Sequence, residues 1–436
     1  MLKTVRILLL LVVIIASGLS AFHAQAASPN TFEILTTSGI VNPILSSYLQ
    51  RGIHQAETDG AAAVIIQLDT PGGLDSSMRE IVQSIIGSRV PVVVYISPNG
   101  ARAASAGVFI TESAHIAAMA TNTVIGAAHP VNLGPSGVQD VATDEATKIV
   151  NDAAAYMRTI TGARGRNVDW TEQAVRSSVS VTETEALKLN VIDMVAPDLD
   201  YLLLLLDGKQ VTLQDGSVVI LHSKGAATRQ NPMTGNENFL YSISDPNIAY
   251  LLLSVATLGI MVELSNPGLI FPGVIGAICL LMAFFSLGTL PVNYAGIGLM
   301  LLAFGLFIAE VHTGHGIFAA GGIISLFLGS TILFQGGSLF QVSPWLSGII
   351  TLIFAAFFVF LVAKVITARR LPASTGREEL IGKPARVTVA LSPEGMVLFR
   401  GERWKAVTDG EKVPAGENVI INKVDSLTLH VSRKTG

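Results

Sequence analysis

Cysteine and charge are what this chain of 436 residues has least of: it contains one cysteine, and only 14% of its residues are Asp, Glu, Lys or Arg. The lone Cys279 excludes a disulfide framework, and its place in an apolar run excludes a cysteine nucleophile outside a membrane. Soluble domains carry about 25% charged residues, so part of this chain is built to avoid water. The net charge is −4 with no long run of one sign, which argues against nucleic acid as a partner. Neither a Walker A loop nor a Gly-x-Gly-x-x-Gly turn occurs, so no nucleotide is implied. Metal-ligand spacing is also scarce. Glu310-x-His312-x-x-His315 offers ligand types, but Gly314 and Gly316 break any helix that would align them. No metal and no cofactor are expected.

The apolar residues that make up 50% of the chain are gathered into blocks. Residues 1–26 read as a secretory signal peptide: Lys3 and Arg6, an apolar stretch from Ile7 to Ala16, then Ala24-Gln-Ala26. Ten apolar residues fall short of the ~20 that span hydrocarbon, so cleavage after Ala26 is expected rather than a first transmembrane helix. That would leave the next domain outside the cytoplasm. Between Asn247 and Ile366 the only formal charges are Glu263, Glu310 and Lys364, and five apolar segments follow one another there. This region, 247–366, is expected to cross the membrane about five times, with the first segment the shortest and open to a re-entrant reading. Lys364, Arg369 and Arg370 after the last segment place the C-terminus in the cytoplasm by the positive-inside rule.

Residues 27–225 read as a water-compatible α/β domain. Ala63–Asp69 and Val90–Ile96 have the near-continuous apolar character of strands covered on both faces, and helical spacing recurs over Pro43–Asp59 and Leu74–Ser88. The polar stretch 226–246 reads as a linker. Residues 377–436 hold ten Lys/Arg against eight Asp/Glu, in short alternating runs separated by turns such as Ser392-Pro-Glu-Gly and Thr408-Asp-Gly. That spacing predicts a small β-barrel.

Three places in the N-terminal domain could do chemistry. Asp69-Thr-Pro-Gly72-Gly73 follows a strand, and paired glycines allow backbone N–H groups to face an oxyanion. Ala101-Arg-Ala-Ala-Ser105-Ala106-Gly surrounds one serine with small residues at the start of a helical segment, fitting either a nucleophile or a plain N-cap. Lys148 lies near the start of a helix from about Asp144 to Ile160, off the apolar stripe of Ala146, Ile149, Val150, Ala153, Met157 and Ile160. A lysine serves as a base for serine only when neutral. Spacing leaves His115 and His129 open as alternative bases, with Asp69 or Asp75 as the acid.

The stretch Ala103-Ala-Ser-Ala-Gly followed by Ala117-Ala-Met-Ala-x-Asn-Thr-x-Ile-Gly-Ala-Ala-His-Pro-Val resembles the NfeD family of membrane-bound ClpP-class serine proteases, also described as stomatin operon partner proteins. Lys148-Ile-x-Asn-Asp-Ala-x-Ala-Tyr-x-Arg, Glu263-Leu-Ser-Asn-Pro-Gly and Phe271-Pro-Gly-Val-Ile-Gly extend the likeness over nearly the whole mature chain. The resemblance implies a multidomain protein: a ClpP/crotonase-like α/β domain, a helical membrane bundle and an OB-like C-terminal barrel. It implies a Ser-Lys dyad, with Ser105 as nucleophile and Lys148 as general base, and an oxyanion hole from Gly72 and Gly73 with help from Ala106. It further implies an endopeptidase of the bacterial inner membrane that associates into oligomers. Its substrate would be protein or peptide, with a stomatin/prohibitin-like partner cut near an apolar segment. The alternative is a non-proteolytic scaffold for such a partner.

Overall fold

The computed structural model describes residues 30–130, 133–134, 137–138, 144–265, 268–334, 340–370, 377–410 and 412–433. The expected signal peptide lies outside them. The N-terminal domain begins β1 (Thr31–Ser38), α1 (Pro43–Asp59), β2 (Ala63–Asp69), α2 (Asp75–Ile86) and β3 (Val92–Ile96). Next come β4 (Arg102–Ala104), α3 (Ala106–Ser113), β5 (Ile116–Met119), β6 (Val124–Gly126), and the two-residue strands β7 (Leu133–Gly134) and β8 (Gly137–Val138). The long α4 (Asp144–Ala163), α5 (Val168–Ser177), β9 (Ser180–Thr182), α6 (Glu183–Lys188), β10 (Met194–Val195) and α7 (Leu199–Leu206) follow. β11 (Gln210–Thr212), β12 (Val218–Ile220), β13 (Ala227–Gln230) and α8 (Gly235–Ile243) close the domain.

Six strands form one sheet in the order β10-β5-β3-β2-β1-β13, and every pairing in it is parallel. Side chains alternate across a strand, so β2 and β3 feed two cores. Val64, Ile66, Val92 and Val94 face α1, α2 and α3, while Ala63, Ile65, Val93 and Tyr95 face α7. Burial on both faces is why these strands are apolar without interruption. A second sheet, β4-β6-β9, stands beside the first, and Thr70 bridges the two by donating its N–H to Arg102 and accepting from Ala104 N–H.

The stretch 226–246 is part of the domain and not a tether. β13 adds the outermost strand beside β1, and Thr234 and Glu237 cap α8 reciprocally. Its polar residues answer charges far upstream: Arg229 pairs with the buried Glu33 at 2.8 Å, and Glu237 pairs with Arg51 at 2.7 Å. Local polarity looked like a linker because those partners are distant in sequence.

Five apolar helices follow: α9 (Pro246–Ser265), α10 (Phe271–Thr289), α11 (Tyr294–Thr313), α12 (Ile317–Ile332) and α13 (Pro344–Arg370). Among the described residues four segments are long and apolar enough to cross a membrane: α9, α10, α11 and Pro344–Lys364. The short helix is the fourth, not the first. α12 has 16 residues, about 24 Å at 1.5 Å per residue, against ~30 Å of hydrocarbon. Large side chains such as Leu281, Leu352 and Val359 point away from the protein, as lipid-facing surfaces require. α9 and α10 pack backbone to backbone. A Cβ on Gly259 would lie 2.5 Å from the Pro272 carbonyl oxygen and 3.0 Å from Gly276 Cα.

The C-terminal region closes into a five-stranded barrel of β14 (Pro384–Val389), β15 (Glu394–Phe399), β16 (Glu402–Thr408), β17 (Asn418–Asp425) and β18 (Thr428–Arg433). The order β14-β15-β16-β18-β17, with only the β16–β18 pairing parallel, is the OB-like arrangement. Val387, Val397, Phe399, Ala406, Ile421, Leu429 and Val431 fill its interior.

Candidate active site

The site is built where the chain leaves β2 and where it leaves β4. After β2, Thr70 Oγ1 accepts the Gly72 N–H at 3.0 Å, and the Gly72 carbonyl accepts from Val41 N–H at 2.9 Å. Gly72 stands at φ 121°, and a Cβ there would lie 2.6 Å from Ser105 Cβ. Only glycine lets this loop lie against the serine. The Gly72 N–H is therefore committed to the turn, while those of Gly73 and Ala106 make no hydrogen bond among the described residues.

Ser105 occupies the N-cap position of α3, yet its side chain makes no capping bond. Its backbone is held at φ 53°, ψ −114°, and its N–H is shared between the carbonyls of Gly126 and Ala127 at 3.2 Å each. A non-glycine residue at positive φ, held there by its surroundings, stores strain of a kind that collects at reactive positions. The half-buried hydroxyl faces a cleft of about 560 Å³ lined also by Gly73, Ala106 and Lys148. The structure thus brings Ser105, Gly73, Ala106 and Lys148 to one cavity and gives Gly72 a packing role beside them.

The other walls are mostly apolar: Met78, Phe109, Ile149 and Ala153. Two carboxylates line the cleft, Asp75 on α2 and Asp152 on α4, and both are held by Arg79, at 2.8 and 2.5 Å. Arg79 also stacks over the Tyr156 ring at 4.5 Å, which ties α2 to α4. Lys148 is exposed at the cleft wall and forms no ion pair among the described residues, although Asp152 is one turn further along its helix. Arg79 and Asp152 escaped the sequence reading, where the spacings of four between Asp75 and Arg79 and between Lys148 and Asp152 were the signals available.

The histidines are elsewhere. His115 follows the C-terminal end of α3, about 12 Å of helix from Ser105. Its Nδ1 accepts the Val92 N–H, and burial, with Arg164 and Arg166 adding to it, pushes its pKa down to about 3. His129 Nδ1 is 2.8 Å from the Val175 carbonyl, and the residue does not line the cleft. Asp69 accepts the Arg102 N–H, which pins β2 to β4. In the membrane region the two Glu310 oxygens accept the N–H groups of Gly316 and Ala319, satisfying the start of α12. Among the described residues no three metal-capable side chains converge.

Fold and site together define a membrane-anchored protein of the serine-protease class, with an α/β domain, apolar helices and a closed barrel. Three family models match the chain in succession: "NfeD1b, N-terminal domain" over 33–201, "NfeD integral membrane domain" over 247–364, and "NfeD-like C-terminal, partner-binding domain" over 377–433. The chain is 38% identical to Membrane-bound protease PH1510 of Pyrococcus horikoshii over 440 residues, covering 98% of each. It belongs to the NfeD family. It is also 26% identical to Membrane protein NfeD1b of Bacillus subtilis, covering 93% of each chain. Among solved structures, the 1510-N membrane protease specific for a stomatin homolog from Pyrococcus horikoshii is 32% identical. The match covers 50% of this chain and 99% of that one, with a TM-score of 0.43.

Proposed function

We propose that this chain is a membrane-bound endopeptidase in which Ser105 is the nucleophile and Lys148 the general base. The observation that carries the reading is the meeting, in one cleft, of a non-capping serine at positive φ with two N–H groups and a lysine that have no partner among the described residues. Ser105 Oγ attacks the peptide carbonyl carbon while Lys148 Nζ takes the hydroxyl proton. The Gly73 and Ala106 N–H groups hold the oxyanion, the second at the positive end of α3. Collapse breaks the C–N bond, and the Lys148 ammonium protonates the departing amine. Lys148 then takes a proton from water, which attacks the Ser105 ester. The ester C–O bond breaks, and the proton returns to Ser105 Oγ. A lysine base must be neutral to take the proton, and Lys148 is exposed on the cleft wall, where a bound peptide would cover it.

The apolar cleft walls support a substrate segment rich in apolar side chains. A stomatin-class substrate or partner is proposed on the sequence likeness to the 32% identical protease domain. The C-terminal barrel, which matches a model described as partner-binding, is the place for that partner to dock. The domains are proposed to lie with the protease outside the cytoplasm and the barrel inside, in an assembly of several copies.

The test is hydrolysis of apolar peptides by the full chain in detergent. Ser105→Ala and Lys148→Ala should each lower kcat at least a thousandfold with the melting temperature kept, whereas turnover that survives either change overturns its assigned role.

A further inference from the structure

The cleft has one wall that the protease domain does not supply. Phe340 lies on the connection between α12 and α13, more than 170 residues from Lys148 in sequence, yet it lines the cleft with Ser105 and Lys148 and is only 4% exposed. The described parts of this connection are anchored. Phe334 pairs with Val292, and the Ser343 N–H donates to Asn247 Oδ1 at 2.8 Å, on the first turn of α9. Ser286 of α10 donates to the carbonyl of Ile243, the last residue of α8, at 2.5 Å, so the membrane helices are bonded to the end of the protease domain. A cleft of about 560 Å³ remains beside Phe340. That is room for more than one large side chain, so Phe340 bounds the space and does not fill it.

We infer that Phe340 is a specificity-determining residue: it forms the apolar wall against which a bulky aliphatic or aromatic side chain of the bound peptide packs, opposite Met78 and Phe109. The inference rests on the reading of the cleft as the peptide site. Its consequence is that the protease domain cut free of its membrane helices has an incomplete cleft. The part of the selectivity that Phe340 adds to the protease domain's own apolar walls is then a property of the whole chain. The walls contributed by α2, α3 and α4 are Met78, Phe109, Ile149 and Ala153, and removing one aromatic face from such a site weakens discrimination by about ten- to a hundredfold.

The test uses the full chain in detergent and two peptides that differ at a single position, Leu against Ala. Phe340→Ala should lower the Leu-to-Ala ratio of kcat/KM about tenfold, chiefly through KM, and Phe340→Leu should restore most of it. An unchanged ratio, or an equal loss on both peptides, overturns the inference. So does a gain in kcat/KM, which would mean that Phe340 obstructs the cleft. Peptide binding to Ser105→Ala chains with and without Phe340→Ala gives the same answer without turnover, the Kd for the Leu peptide rising about tenfold. Turnover undiminished by Ser105→Ala would sink the reading of the site, whereas intact Ser105 dependence with an unmoved ratio would sink only the role of Phe340.

Discussion

Ser105 and Lys148 depend on a neighbour that does no chemistry. Arg79 engages both carboxylates of the cleft, Asp75 and Asp152, and among the described residues the lysine pairs with neither. Removing Arg79 breaks the links from Asp75 on α2 to Asp152 on α4 and the contact with the Tyr156 ring, so these two walls of the cleft should loosen. Exposed pairs are worth roughly 0.2–1 kcal/mol each, and Arg79→Ala should lower stability by about that much for each pair lost. Thermal unfolding of Arg79→Ala checks this, and an unmoved melting temperature would show that the pairs hold nothing together. Gly72 is a second such neighbour. Gly72→Ala puts a Cβ 2.6 Å from Ser105 Cβ at φ 121°, which should cost about 1–3 kcal/mol of stability and most of the activity. A variant with wild-type melting and turnover would show that the loop yields freely.

α3 joins two unlike environments. Its first residue turns to the cleft an N–H that makes no hydrogen bond among the described residues, while near its C-terminal end Glu112 is fully buried, and burial pushes that carboxyl up to about 8 against the opposing pull of Arg166. A raised acid pKa means that the folded state holds its proton longer than the unfolded one, so the stability linked to Glu112 is complete below about 4.5 and lost as pH rises through 8. His115, pushed down to about 3 from 6.5, works in the opposite sense, adding stability between those values. The two oppose one another from about 4.5 to 6.5, and above that Glu112 acts alone. Stability should therefore fall by about 2 kcal/mol between pH 6.5 and 8, one proton at 1.36 kcal/mol per unit. Glu112→Gln should flatten that fall in thermal unfolding scans, and an unchanged slope would remove Glu112 as its source.

At the scale of the whole molecule, the apolar helices and the family assignment define an integral membrane protein. The orientation proposed for it is argued from charge at the end of the last span. Lys364, Arg369 and Arg370 should hold the barrel in the cytoplasm. A reporter fused after Gly436 should be active only in a form that functions in the cytoplasm; activity solely outside would reverse the topology. The 16-residue α12 makes that experiment informative about span number, because a helix that fails to cross would leave the two ends on the same side.

Much of this was legible in order along the chain, because it depends on near neighbours. Apolar runs of strand length and the turn spacing of the barrel are local patterns, and these reappear as the strands and the barrel they suggested. Residues 226–246 were misread for the same reason: Glu33, Asp59 and Arg51 lie some 170 to 200 residues from the partners that make this stretch part of the domain. Which N–H groups are free was equally hidden, since Thr70 claims Gly72 and leaves Gly73 to the cleft. Periodicity could describe α4 but could not say that Lys148 and Ile149 line the same cleft as Ser105, nor that Phe340 joins them from the membrane region. That Lys148 lines the cleft while His115 and His129 do not belongs to the same set. By itself the sequence determined which groups capable of chemistry are present and which segments avoid water, because composition and short-range periodicity set those. Only the tertiary structure decided which of them share a cavity, because that is fixed by parallel strand pairing and helix packing between residues that the chain keeps far apart.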